Sequence, residues 1–166
     1  DVSMEHDDVS LIAESRAIWD TNAEAWDKRI GSGGGWQTVV IAPVVEQMLN
    51  IQAGERVLDI ACGNGQFSRR LAQLGASVMA SDFSPKLIEL AKGRTTEHTD
   101  RITYSVVDAT NETQLMALAG DKNERFDAAV CINAIMDMPA IEPLFRALVK
   151  LLKPDVVDTM PSMIER

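Results

Sequence analysis

The nine residues Val57-Leu58-Asp59-Ile60-Ala61-Cys62-Gly63-Asn64-Gly65 decide how this chain folds. The first five are apolar except for Asp59, the composition of a strand buried on both faces. Two glycines separated by one residue then allow a sharp turn and a close approach of backbone to whatever lies against it. A helix is expected from about Gln66 to Leu74, with Gly75 as its stop. Strand, glycine turn and helix together open a βαβ unit.

Outward toward the C-terminus the alternation continues. Ser77 to Ser81 reads as a second strand. Ser84-Pro85 starts a helix, with Ser as N-cap and Pro in the first turn; it is expected to run to about Lys92 and stop before Gly93. Ile102 to Val107 is a third strand, Thr113 to Ala119 a short helix ended by Gly120, and Phe126 to Ile132 a fourth strand. Ile141 to Leu152 is a helix ended by Pro154. This spacing predicts an α/β fold with a doubly wound, mostly parallel sheet and helices on both faces.

Outward toward the N-terminus the pattern changes. From about Ser10, the residues Leu11, Ile12, Ser15, Ile18, Trp19 and Trp26 fall near helical spacing. Gly31-Ser32-Gly33-Gly34-Gly35 interrupts, and a second helix is expected from about Trp36 to Leu49, kinked or restarted at Pro43. The chain of 166 residues reads as one domain in two parts. Residues 1–50 form a helical segment, and residues 51–166 form the α/β core.

Charge and composition narrow the partners. The formal net charge of -9 opposes binding to DNA or RNA, and the densest basic cluster, Lys86, Lys92, Arg94 and Arg101, is interleaved with acids. The two cysteines, Cys62 and Cys131, lie in or beside apolar runs and make neither a disulfide framework nor paired zinc-ligand spacing, which fits a reducing cytoplasm. No apolar run approaches the ~20 residues needed to span a bilayer. Asp1 to Asp8 lacks the basic start and apolar core of a signal peptide.

In an open α/β sheet, ligands bind beyond the carboxyl ends of the strands, where strand order reverses. Asp59, inside the first strand, is costly unless paired; it either caps the loop backbone or faces a cationic ligand group while ordering the glycine loop. After the second strand, Asp82 can accept both hydroxyls of a ribose, or can simply cap the helix that follows. Phe83 beside it can cover one side of a base. After the third strand, Asp108-Ala109 offers a carboxylate to an adenine amino group, or a turn acid. After the fourth, the stretch from Asn133 to Pro139 is an apolar loop at the ligand edge, or a buried connection in which Met fills gaps.

Taken in order, these strand ends resemble those of class I S-adenosylmethionine-dependent methyltransferases. The matching stretches are the opening nine residues, Ala80-Ser81-Asp82-Phe83-Ser84, Val107-Asp108-Ala109 and Phe126-Asp127-Ala128-Ala129-Val130-Cys131. Leu151-Leu152-Lys153-Pro154 resembles the end of the helix before the family's fifth strand. The resemblance covers about Arg56 to Pro154.

It implies a Rossmann-like methyltransferase fold binding S-adenosylmethionine, with S-adenosylhomocysteine as product. Backbone at Ala61, Cys62 and Gly63 would hold the amino-acid end of the cofactor, with Gly65 completing the turn. Asp82 would bind the ribose and Asp108 the adenine amino group, while Asn133 would present backbone near the sulfonium. The N-terminal helices would form a lid, with Trp26 over the cofactor and the glycine stretch before Trp36 as hinge, unless the tryptophans serve only helix packing and the glycines only as a linker.

Methyl transfer needs no metal, and the expected acceptor is a small molecule. No general base is named: His6 is expected in a loose terminus, His98 in a polar stretch, and Asp137 and Glu142 lie nearer the pocket but can equally cap the next helix. One departure stands out. Lys153-Pro154-Asp155 runs at once into Val156-Val157-Asp158 without the family's glycine turn. Either the sheet is cut short, or residues are absent between about Asp155 and Val156 and after Arg166; the second is the expectation, and the family's acceptor pocket commonly draws on that region. Two alternatives remain. One is a nicotinamide-dependent oxidoreductase, disfavoured by Ser68 at the third fingerprint glycine and by Asp108. The other is a non-catalytic nucleoside-binding protein of the same fold.

Overall fold

Alternation along the first strand sets the two faces of the molecule. In the computed structural model, which describes residues 2–31, 35, 37–120 and 124–157, β1 (Arg56–Ile60) turns Val57 to one side and Leu58 and Ile60 to the other. Val57 packs with Leu71 and Ala72 of α3 (Gln66–Gln73) and with Val78 and Ala80 of β2 (Ser77–Asp82). Leu58 and Ile60 pack with Leu115 of α5 (Glu112–Met116) and with Leu144, Leu148 and Leu151 of α6 (Glu142–Leu151). Phe126 is fully buried in that second layer, with the Arg56 guanidinium 4.3 Å from its ring centre. The period of two along a strand therefore builds a core on each face of one sheet.

The sheet is parallel, in the order β3-β2-β1-β4, with β3 at Ile102–Val106 and β4 at Ala128–Cys131. The chain steps outward from β1 through β2 to β3, then returns to place β4 on the other side of β1. Strand order therefore reverses between β1 and β4, the crevice where this architecture takes ligands.

Several boundaries differ from the sequence reading. α4 (Pro85–Arg94) starts as expected, with Ser84 Oγ accepting the Leu87 N–H at 3.1 Å, but it runs through Gly93. Packing of Leu87, Ile88 and Ala91 holds the helix past a residue that costs it only ~1 kcal/mol. The first helix, α1 (Val2–Gly31), is longer than expected and its bounds include His6. Pro43 restarts rather than kinks: a π-helical turn, Gln37–Ile41, leads into α2 (Ala42–Leu49), with the proline in the first turn, where its missing N–H costs nothing. Ser32 to Gly34 and Trp36, the centre of the expected hinge, lie outside the described residues.

After α6, Leu152 makes a single parallel bridge to Phe126, and Pro154 opens the short α7 (Pro154–Val157) where the resemblance implied a fifth strand. No helix among the described residues is long and apolar enough to cross a membrane.

Candidate functional site

The glycine loop is held by backbone bonds beneath it and by carboxylates beside it. At the end of β1, Ala61 turns into the left-handed region at φ 56, and Asn133 beyond β4 does the same at φ 56. Two non-glycine residues thus carry strain at the tips of neighbouring strands, beside the reversal point. The Cys62 N–H donates to the Ser81 carbonyl at 2.9 Å, and Gly65 N–H to the Cys62 carbonyl at 3.0 Å. Gly63, at φ 57, donates its N–H to Asp82 Oδ2 at 2.9 Å. Ser84 N–H donates to Asp82 Oδ1 at 3.0 Å. Asp82 is therefore the residue that orders the glycine loop, the task the sequence suggested for Asp59. The Phe83 N–H also bonds this carboxylate, and the acceptor capacity left over is open to a ligand hydroxyl.

Asp59 shares a strand face with Val57, and that face meets α3. There the Ser68 hydroxyl donates to Asp59 Oδ2 at 2.5 Å. The residue replacing the third fingerprint glycine thus partners the buried acid, in place of the expected contact to loop backbone. Burial pushes the Asp59 carboxyl up to about 7; the Ser68 hydroxyl opposes that rise and the Asp82 charge adds to it. Burial also raises Asp82, against the N–H groups of Ser84 and Gly63. The same burial lifts the Cys62 thiol well above its usual range and pushes Cys131 up to about 12, so neither is a thiolate nucleophile at neutral pH.

A pH dependence follows. The folded-state value for Asp59 lies above its ordinary 3.8, so the native protein holds a proton that the unfolded chain has released. The stability this contributes is full below about pH 4 and is lost as pH rises through about 7. Urea titrations at about pH 5 and about pH 8 should show a larger fall in wild type than in Asp59→Asn. Equal falls in the two proteins would refute the buried-acid account.

Above the loop lies a cavity of about 1120 Å³, at the upper end of small-molecule sites. Asp59, Ala61, Cys62, Gly63, Asp82, Phe83, Asp108, Ala109, Asn133 and Trp26 all line it. Gly65 stands back from it, where the ring of Tyr104 leaves no room for a side chain. Asp108 closes a turn, accepting from Thr110 N at 2.9 Å and Thr110 Oγ1 at 2.7 Å, both on Oδ1. The apolar loop after β4 contributes Ile132, Met136, Met138 and Pro139 to the wall, and folds as a single 3-10 turn, Ile135–Asp137. Asp137 lines the cavity; Glu142 is the first residue of α6, whose N-cap position is Ile141. His98 sits exposed at the start of a 3-10 turn before β3. Among the described residues no cluster of His, Cys, Asp and Glu can hold a metal ion.

α1 crosses this cavity, and its contacts were invisible in the sequence. Trp26 lies over the loop: its Nε1 is 3.8 Å from where a Gly63 Cβ would stand. Trp19 packs edge-on against Trp26 at 5.6 Å. Arg16 approaches the Phe83 ring at 6.0 Å, and Ser84 Oγ bonds Asp20. Asp27 takes Asn64 and Arg94 together, and Arg69 bonds the Asn64 carbonyl at 2.7 Å. Nothing local in the sequence marks Asn64 or Asp27. Only the long-range docking of α1 gives them partners.

A loop of this shape at the reversal point of a parallel sheet, with Asp82 and Asp108 at successive strand ends, defines a doubly wound α/β domain with a ligand-sized crevice. Comparison with known proteins makes this more specific. The sequence model of the methyltransferase domain family matches residues 57–155, and the chain belongs to that family. It is 35% identical over 102 residues to the ubiquinone biosynthesis O-methyltransferase of Xanthomonas oryzae pv. oryzae (strain PXO99A), an alignment covering 61% of this chain and 40% of that protein. The chain thus spans about 40% of the length of the curated relatives it matches.

Among solved structures, the [4+2]-cyclase SpnF superposes with a TM-score of 0.69 at 20% identity, over 84% of this chain and 56% of that one. The magnesium protoporphyrin IX methyltransferase ChlM of Synechocystis PCC 6803, with bound S-adenosylmethionine, gives 0.66 at 21% identity, over 86% and 72%. At these identities the structural likeness shows the fold.

Proposed function

We propose that the protein binds S-adenosylmethionine in this cavity and transfers its methyl group to a small-molecule acceptor. The observation that carries the reading is that Asp82 and Asp108, at successive strand ends, open onto the same cavity as the glycine loop. The donor set fits the cofactor. Asp82 lines the cavity where it can accept from the ribose, Phe83 lies beside it for the base, and Asp108 accepts from the adenine amino group. Backbone at Ala61, Cys62 and Gly63 takes the amino-acid end, where buried Asp59 favours a cation. Asn133 presents backbone near the sulfonium, and Trp26 covers the loop. Membership of the methyltransferase family and the ChlM structure with its bound cofactor support this reading.

S-adenosylmethionine, when bound, supplies a methyl group already activated by its sulfonium charge. The protein's part is then to align and to exclude water. The strained turns at Ala61 and Asn133 set the two sides of the crevice, and Trp19, Met136 and Met138 give it apolar walls. In this reading residues 1–50 act as a lid on the core formed by residues 51–166. A cytoplasmic location fits the two protonated thiols, and the net charge argues against a nucleic-acid acceptor.

Calorimetric titration with S-adenosylhomocysteine and with NAD tests the cofactor. Micromolar binding of the former is expected. Binding of NAD alone would instead support the oxidoreductase alternative. A methyl-transfer screen over small acceptors then separates an enzyme from a nucleoside-binding protein without chemistry.

A further inference from the structure

Asp27 is a buried carboxylate to which the proposed methyl transfer assigns no role. It is 7% exposed on α1 and faces two other elements at once. Arg94, the last residue of α4, grips it with two nitrogens, Nη2 to Oδ2 at 2.7 Å and Nε to Oδ1. Asn64 of the glycine loop donates Nδ2 to Oδ1 at 2.9 Å. The guanidinium beside Asp27 holds its carboxyl below the usual carboxylate range, with the Asn64 amide acting in the same direction against burial. Gly31, at the end of α1, leaves the space the Arg94 guanidinium occupies.

Asn64 is the informative partner. It is 2% exposed and lies between the two glycines. Its side chain is held by Asp27 and its carbonyl by Arg69, so its position is fixed from α1 and α3 together. Its neighbour Gly63 bonds Asp82. A continuous path thus runs from α1 through Asp27, Asn64 and Gly63 to the carboxylate assigned to the ribose. With α1 unseated, the Asn64 amide would lose its partner in a buried setting, and the loop would keep only its ties to Arg69, Asp82 and neighbouring backbone.

We infer that Asp27 is a positioning residue for the cofactor loop, fixing Asn64 and through it the Gly63 backbone, so that affinity for an adenosyl cofactor depends on α1 being seated. This rests on the cofactor reading above.

The test is S-adenosylhomocysteine titration of wild type, Asp27→Ala, Asn64→Ala, the double variant and Asp27→Asn. Each alanine variant should bind about tenfold more weakly, the size of one lost hydrogen bond to a charged group. The double variant should be no weaker than the weaker single, because both remove the same bond. Asp27→Asn keeps an oxygen for Asn64 while losing the ion pair, and should restore most of the affinity. If Asp27 only anchors α1 through Arg94, Asp27→Asn will be as weak as Asp27→Ala, and the inference fails. Should Asp27→Ala not fold, Asn64→Ala leaves the Asp27–Arg94 pair intact; unchanged affinity there also overturns it. A wild-type protein that does not bind the ligand overturns the cofactor reading itself, and this inference with it.

Discussion

Asp82→Ala is expected to raise the dissociation constant for S-adenosylhomocysteine at least about 100-fold, because two sets of bonds go at once. One set is structural: the N–H groups of Gly63 and Ser84 lose their acceptor inside a protein wall. The other is to the ribose, which the remaining acceptor capacity would hold. A hydrogen bond to a charged group is worth ~1.5–3 kcal/mol, so losing either set alone costs at least tenfold. Asp82→Asn, which keeps one oxygen, should fall between wild type and alanine. Calorimetry gives the affinities, and a thermal melt of each variant separates lost binding from lost fold. A folded Asp82→Ala protein that binds as tightly as wild type would remove the ribose role.

The second large effect is on stability. Gly65 sits at φ 74 directly before α3, and its carbonyl accepts the Arg69 N–H at 2.9 Å. A Cβ there would stand 3.0 Å from Cε1 and Cζ of Tyr104 and closer still to its hydroxyl. Tyr104 cannot swing away freely, since that hydroxyl is tied to Thr95 Oγ1 at 2.9 Å. Gly65→Ala therefore meets left-handed strain and overpacking together, each ~1–3 kcal/mol, and should lower unfolding free energy by about 2–6 kcal/mol. In a Tyr104→Ala background, itself less stable, Gly65→Ala should cost only the backbone share. Urea denaturation reads both. A single variant within about 0.5 kcal/mol of wild type would show that the loop relaxes at no cost.

The elements most readable from sequence were those governed by local rules. The run from Val57 to Ile60 announced a doubly buried strand, Ser84-Pro85 a capped helix start, and Gly63 and Gly65 a turn with positive φ. Asp82, Asp108 and Asn133 were picked out because an architecture read from alternation says where strand ends go. What stayed hidden depends on contacts across the chain. That Ser68 serves Asp59 requires knowing which face of β1 meets α3. That Asp82, and not Asp59, holds the loop requires the β1–β2 register, which pairs Ile60 with Ser81. Asp27 and Asn64 are separated by 37 residues, and no local pattern links them. The passage of α4 through Gly93 is a case of packing overruling an intrinsic preference.

The length of α1 has a mechanical consequence. Ile12, Trp19 and Trp26 touch one cavity from a single uninterrupted helix. At 1.5 Å per residue, Ile12 lies about 21 Å along the axis from Trp26. A tilt of about 5° pivoting at Trp26 would carry Ile12 through about 2 Å, while the turn bearing Asp27 would scarcely shift. The geometry is that of a lever with its fulcrum at the glycine loop: a small rotation there becomes a larger displacement at the Ile12 end of the cavity wall.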